Sequence, residues 1–350
     1  MTVQTAVKLE NFANINLADP FFDSLKRDYS DFVNWFNKKA INGEKAYVLK
    51  DSRKAIQVFL YLKDESGIDF SIEPSLGNEK RLKIGTFKVN SHGTVMGQKF
   101  MSIILRKMIS ERYPLVYVTV LATHPELIRL FKKYGFSKWG MKDSREYVFI
   151  KTQTVQNSIF CNFPRINLQK DPKKYLLAVY PQWHSKLFPD SRLNNENNLQ
   201  ILDIAHSNSI EKVYICGMES VLSMQQGDLV VIYRTADIRP AEYHAVATSL
   251  CTVVEVKTIN SFKSLQAFLD YCKESVFSKA KLITYYKTQR YPYIIKMLYD
   301  FPLNKRIIRR DLANEAGLDR NERWGCIYLN DAQFKQILRM GAVDEGFIIN

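Results

Sequence analysis

Two glycines four residues apart, in His92-Gly93-Thr94-Val95-Met96-Gly97, stand directly ahead of a helix-like apolar run that ends near Ile109. Amides at a helix start are unpaired and, with the helix dipole, attract anions. Glycine lets the backbone approach a ligand with no Cβ in the way. The N–H groups of Val95, Met96, Gly97 and Gln98 are therefore placed to hold a phosphate, and a plain connecting loop is the other reading of the same pair. Other reactive residues are scattered. No convincing Ser-His-Asp or Cys-His arrangement exists, and His184, His206 and His244 lack a metal-ligand spacing such as HxxxH. The cysteines, Cys161, Cys216, Cys251, Cys272 and Cys326, form no CxxC pair. Neither a structural zinc nor a disulfide framework is expected, and a reducing cytoplasm is the default location.

The glycine pair needs a strand before it and a helix after it, and the periodicity supplies both. Arg81 to Val89, "RLKIGTFKV", reads as a strand, Gly97 to Arg112 as a helix, and Leu115 to Leu121, "LVYVTVL", as a buried strand. Pro125 to Tyr134 is a second helix stopped by Gly135, and Glu146 to Lys151 another strand. Upstream, Lys45 to Lys63 gives two β-rich runs broken at Asp51-Ser52-Arg53, a hairpin signal. Before that, Phe22, Leu25, Tyr29, Phe32, Val33 and Phe36 follow a helical spacing that begins at Asp19-Pro20. A mixed sheet covered by helices follows. Residues 152–173 hold Pro164 and Pro172, show no clear period, and read as a linker. From Lys174 the pattern changes to short strands separated by polar turns, which suits a small barrel, with helices at "SFKSLQAFLDYCKES" and "LNDAQFKQILRMG".

At 350 residues, with 46% hydrophobic and 25% charged residues, the chain has the composition of a soluble globular protein with room for two cores. No apolar run is long enough for a membrane helix, and the first residues do not read as a secretory signal. The net charge of +14 is spread over both halves, with 25 Lys and Arg against 16 Asp and Glu up to Lys151. Such a surplus favours polyanion partners such as RNA, DNA or a phosphorylated cofactor, with a merely solvated basic surface as the alternative.

The strand, glycine turn, helix and then "LVYVTVLATHPELIRLFKKYGFSKWG" together resemble the GNAT acyltransferase family over about residues 3 to 151. In that family an Arg/Gln-x-x-Gly-x-Gly/Ala turn, typically Arg-Gly-x-Gly-x-Gly, holds the pyrophosphate of acyl-CoA. Here Gly93 and Gly97 match its first and last glycines, Val95 takes the middle glycine position and His92 the arginine position. "KKYGF", Lys132 to Phe136, matches the family's ending. The resemblance implies that the backbone of Ile84 to Val89, including Thr86 and Phe87, pairs with the pantetheine arm, and that acetyl-CoA is the co-substrate. The family's tyrosine, the acid that protonates the departing thiolate, is Phe131 here. Tyr134, about one helical turn on, or water is left for that role, and a half-buried core aromatic is the other reading of Tyr134. The family's asparagine before this helix aligns with His124. A carboxylate, histidine or water must take the amine's proton. Glu73 and His124 are the candidates, with an ordinary surface position as the alternative for each.

"KYLLAVYPQWHSKLF", "KVYICG", "GDLVVIYRT" and "YHAVATSLCTVVEV" resemble the PUA-like superfamily, in particular its ASCH and EVE branches, over about residues 174 to 350. The resemblance implies binding of RNA or a modified base in a cleft between barrel and helix. Aromatic faces stack bases while Lys and Arg engage phosphates. Trp183, His184 and Lys186 at the cleft helix, Arg234 at a strand end, and Lys287 and Arg290 among four tyrosines are the candidate contacts, with core packing and a solvated face as the alternatives.

The expected fold class is α+β, a GNAT-like mixed sheet flanked by helices (1–151), a linker (152–173) and a small PUA-like β-barrel with helices (174–350). The leading functional reading is an acyl-CoA-dependent N-acetyltransferase acting on an amine of RNA, aminoacyl-tRNA or a nucleic-acid-associated substrate. Two others stay open. One is a non-catalytic nucleic-acid-binding or regulatory protein of toxin–antitoxin or phage-defence type; the other is acetylation of a small molecule or protein, with a purely structural second domain.

Overall fold

Largely apolar, β-branched and aromatic runs form the inner strands of the first unit, and runs with one apolar stripe form its longer helices. A computed structural model describes residues 7–51, 53–90, 95–191 and 209–350. The chain divides into two compact units, with the boundary between Thr154 and Val155. The first contains β1 (Lys8–Asn11), α1 (Asp23–Asp28), α2 (Phe32–Ile41), β2 (Lys45–Lys50), β3 (Ile56–Glu65), β4 (Ile72–Glu73) and β5 (Arg81–Val89). It continues with α3 (Met96–Ser110), β6 (Leu115–Leu121), α4 (Pro125–Lys133), β7 (Ser137–Lys142) and β8 (Glu146–Thr152). Its sheet has the order β1-β2-β3-β5-β6-β8-β7-β4. Only β5 and β6 run parallel among these neighbours. A parallel pair needs a crossover, and α3 supplies it.

The expected strands at Arg81–Val89 and Leu115–Leu121 form over those residues, and the hairpin forms between β2 and β3. The single helix expected from Asp19 is broken instead. A short 3-10 turn, Pro20–Phe22, leads into α1, which stops at Tyr29. The break falls at Tyr29, which adopts extended angles (φ −131, ψ 101) and whose hydroxyl is engaged by a distant partner, donating to Glu146 Oε1 at 2.7 Å. Phe12, Phe22, Phe32 and Phe36 close over Phe59 and Tyr61 of β3 to form an aromatic core. Phe59 is fully buried, with its ring 5.3 Å from Phe22 and 5.5 Å from Phe12, both edge-on. On α3, Met96, Phe100, Met101, Ile104, Leu105 and Met108 are buried, the stripe of an amphipathic helix.

The second unit contains α5 (Ile159–Asn162), β9 (Ile166–Asn167), β10 (Lys174–Val179), α6 (Pro181–Leu187), β11 (Glu211–Cys216) and β12 (Leu229–Arg234). Then come α7 (Ala241–His244), β13 (Val246–Thr258), α8 (Leu265–Tyr271), α9 (Lys279–Thr288) and β14 (Tyr293–Ile308). It ends with α10 (Arg309–Glu315), β15 (Cys326–Leu329), α11 (Asp331–Met340) and β16 (Ile348–Ile349). Six strands form a mixed sheet in the order β11-β14-β13-β12-β10-β15. Register shifts along the β13–β14 pairing bend these two long strands. They thereby border two cores: Val253 and Met297 face one, Leu250 and Phe301 the other. The segment read as a linker is structured from Val155 on: β9 pairs with β16, and Phe163 and Ile166 are buried. Asp228 ties it to the sheet, accepting from the Lys173 N–H at 2.9 Å and the Gln225 N–H at 2.8 Å.

Replacing Phe59 by Ala removes the centre of the aromatic core. It should cost about 3–5 kcal/mol in urea unfolding of the full chain; a loss below about 1 kcal/mol would show that this cluster is not where the first unit's stability resides.

Candidate active site

The central feature of the first unit is a parting of strands. β5 pairs with β6 from Arg81↔Leu115 to Ile84↔Val118, and no further pairing of the two occurs among the described residues. The cause lies on the other side of β5. Leu62 pairs with Ile84 and Tyr61 with Thr86, which leaves Gly85 as an extra residue, a bulge. A Cβ on Gly85 would lie 2.6 Å from Tyr61 Cδ1, so only glycine fits under this ring. Beyond the bulge β5 stays with β3, and Thr119–Leu121 stays with β8. The edge of β5 facing the gap therefore lacks a strand partner, although the Gly85 carbonyl accepts from the Thr86 hydroxyl at 2.8 Å, and such an edge suits an extended, amide-bearing ligand. The gap opens into a cavity of about 460 Å³, bordered by both parted strands, the α1–α2 segment and the β7–β8 turn.

Polar residues line one end of it. Lys63 lies directly opposite Lys83 in the β3–β5 register, and Lys83 opposite Tyr117 in β5–β6. Glu65 binds all three: its Oε1 is 3.1 Å from Lys63 Nζ and 3.3 Å from Lys83 Nζ, and its Oε2 accepts from the Tyr117 hydroxyl. Burial alone would raise the Glu65 carboxyl, but the Tyr117 hydrogen bond and the two ammonium groups outweigh it and hold the carboxyl below its ordinary range. Burial pushes Lys83 down; Glu65 opposes this and Lys142 adds to it. Tyr117 is raised by burial and by Glu65. At another border of the cavity stands His124, whose Nε2 is 3.9 Å from Asp28 Oδ2. It precedes Pro125 at the start of α4 without capping that helix.

Of the residues singled out from sequence, Ile84, Thr86, Phe87 and His124 line this cavity. Ile84 is already paired on both sides, so the open edge starts at Gly85. Tyr134 is fully buried and is not among the cavity's lining residues; Phe131 is buried beside it, its ring 6.2 Å from Phe87 and 4.9 Å from Phe136. Glu73 lies elsewhere. It pairs with Met141 at the β4 edge, with β7 and β8 standing between it and β6, although it precedes β5 by only a few residues in sequence. His92 and Gly93 lie outside the described residues. Val95, Met96, Gly97 and Gln98 open α3 downstream of β5 and Val89. The Gln98 N–H is used within the turn, donating to the Val95 carbonyl at 2.9 Å. A Cβ on Gly97 would meet Leu130 Cδ2 at 3.0 Å, so packing on α4 already accounts for part of the need for glycine there. Sequence reading missed Glu65, Lys83, Tyr117, Tyr29 and Glu146. The available signal was Lys63, Glu65 and Lys83 inside strands that are otherwise apolar.

In the second unit, His184 and Arg234 are buried, which corrects their reading as surface contacts. His184 Nε2 is 2.8 Å from Thr248 Oγ1, and Arg234 donates to Asp237 Oδ2 at 2.9 Å. Lys186, Lys287 and Arg290 are exposed. Trp183 is half-buried, its ring packed 4.9 Å from Phe277, with Lys281 Nζ 4.5 Å and Lys186 Nζ 5.5 Å from its centroid. Among the described residues no cluster of metal-ligating side chains exists, and no helix is long and apolar enough to cross a membrane.

No protein-family model and no curated protein matches the chain. Solved structures do. The ASCH protein of Zymomonas mobilis is similar to it at 10% identity, over 48% of this chain and 95% of that one, with a TM-score of 0.32. A GNAT-family acetyltransferase from Listeria monocytogenes is similar at 14% identity, over 43% and 98%, with a TM-score of 0.33. The Campylobacter jejuni N-acetyltransferase PseH, solved in complex with acetyl coenzyme A, is similar at 16% identity, over 43% and 100%, with a TM-score of 0.28. Each of these structures matches just under half of this chain.

Because the folded Glu65 carboxyl titrates below its unfolded value of 4.5, its stabilisation is complete above that value and is lost as pH falls through the folded one. Glu65→Gln should cost about 1–3 kcal/mol at pH 7. In urea titrations the gap between variant and wild type should close as pH falls below 4.5; a gap independent of pH would contradict the charged network.

Proposed function

We propose that the first unit transfers an acyl group, acetyl in the simplest case, from acyl-CoA to an amine, and that the second unit brings a nucleic acid, RNA first, to that reaction. The observation that carries the reading is the strand parting at Gly85, which presents an unpaired edge of β5 to a cavity that also holds His124. The Gly85–Val89 edge pairs with the pantetheine amides. The Val95, Met96 and Gly97 amides at the start of α3 take the pyrophosphate, where the helix dipole favours an anion. When bound, the thioester supplies the activated acyl carbon. The chain's own residues hold the amine in the cavity and take its proton. His124 accepts that proton, and the Asp28 carboxylate 3.9 Å away stabilises the imidazolium. Phe131 has no proton to give and Tyr134 is enclosed, so water protonates the leaving thiolate.

A binding protein without turnover is favoured by one observation, the same lack of a hydroxyl at Phe131. The two readings part on measurement. Calorimetric titration of the full chain with acetyl-CoA should show one site; no binding at millimolar concentration would sink the acyltransferase reading. With an accepted amine, His124→Ala should lower kcat about a hundredfold, while Tyr134→Phe should stay within about threefold. A hundredfold loss in the tyrosine variant would return the acid's role to Tyr134.

For the second unit, Lys186, Lys281, Lys287 and Arg290 are exposed around Trp183, Tyr285 and Tyr291. If this face binds single-stranded RNA, changing Lys287 and Arg290 together to Ala should flatten the slope of log affinity against log salt by about 1.4. An unchanged slope would exclude these two as phosphate contacts.

A further inference from the structure

The polar end of the cavity carries more positive charge than its own carboxylates neutralise. Lys63 and Lys83 stand directly opposite each other across neighbouring strands, a placement that is destabilising for like charges. They share one carboxylate oxygen, Glu65 Oε1. Lys142, at the end of β7, lines the same cavity and forms no ion pair among the described residues. Its charge reaches Lys83, which it pushes towards deprotonation. The other carboxylate facing the group is Asp69, which takes the Ser71 N–H and hydroxyl and whose charge attracts both Lys83 and Lys142, leaving the group one positive charge in excess. The remaining basic residues of the cavity are occupied: Lys39 pairs with Glu44 at 3.2 Å, and Arg145 donates to the Asp28 carbonyl. At the opposite border the Glu146 carboxylate takes the Tyr29 hydroxyl. Three ammonium groups thus converge on two carboxylates that both have other partners. A ligand oxygen anion seated between Lys83 and Lys142 would relieve the repulsion.

Taking the acyltransferase reading as its basis, we infer that the acceptor amine carries an anionic group, a carboxylate or a phosphate, which Lys83 and Lys142 bind while the amine lies towards the gap between β5 and β6. Lys142 is then a specificity-determining residue.

Matched probes test this without requiring turnover. Phosphoethanolamine against ethanolamine, and β-alanine against β-alaninamide, are titrated calorimetrically into the full chain. At least one anionic member should bind about tenfold or more tightly than its uncharged partner. Which one does so separates phosphate from carboxylate. Lys142→Met should abolish the difference and Lys142→Arg should retain it, a rescue that mere loss of packing would not give. Equal binding within each pair, no binding by any probe, or a preference that survives Lys142→Met would overturn the inference. Acetyl-CoA binding, measured separately on the same sample, reports on the donor site, so failure there is distinguishable from failure here.

Discussion

The close approach of Tyr61 to Gly85 sets the geometry of the first unit. The ring occupies the space where a Cβ would stand, so β5 must bulge there, and the bulge ends its pairing with β6. Tyr61 is itself held from behind. Its ring packs edge-on against Phe12 at 5.2 Å and Trp35 at 5.7 Å, and its hydroxyl donates to Glu44 Oε2 at 3.0 Å. The aromatic core beneath α2 therefore fixes the point at which two strands separate on the far side of β5. A slip of one residue between β3 and β5 would put Lys83 on the opposite face of the sheet from Lys63 and Glu65 and dissolve the charged row. Packing and site geometry are in this sense one constraint.

The charged row shows the complementary cost. Opposed lysines on adjacent strands lose stability relative to apolar residues, and half-burial deepens the loss. Glu65 and Tyr117 recover part of it through short, charge-assisted contacts. Strands that need only to pack would carry Val or Ile at these positions, as β6 does on its buried face. Charge retained at such a cost is expected of a surface shaped for a ligand.

Much of this frame was legible in the sequence, because strong periodicity survives folding. Arg81–Val89 and Leu115–Leu121 form over the residues that their patterns indicate. The short strands β1 and β4, and the polar β7, were not legible, since their pairing depends on neighbours rather than on their own residues. That gap misplaced Glu73. Its closeness to Arg81 in sequence suggested the site, whereas β4 crosses to the opposite edge of the sheet. Tyr134 had two readings, an acid or a core aromatic, and its burial fits the second: a helical offset from Phe131 gives direction along α4 but not depth. The pairing of Lys63 with Lys83 could not be read, because register across a bulge is invisible in one sequence.

The second unit makes the same point about polar residues in the opposite sense. His184, beside Trp183 in sequence, looked like part of a base platform. It instead begins a buried chain of hydrogen bonds through Thr248 (2.8 Å), Ser249 (3.1 Å), Ser191 (2.7 Å) and the Tyr299 hydroxyl (2.8 Å). Hydroxyls that can both donate and accept let such a chain satisfy itself inside a core. Neighbouring residues on α6 thus serve different ends, since a rotation of about 200° over two residues sends His184 inward and leaves Lys186 outside. Lys186 and Lys281 lie over the Trp183 ring, which places their charge at the edge of an aromatic surface rather than dispersing it into solvent. Two of the chain's basic residues are thus held at this helix by cation–π contacts, and a base that stacked on Trp183 would have to displace one of these lysines towards its own phosphate.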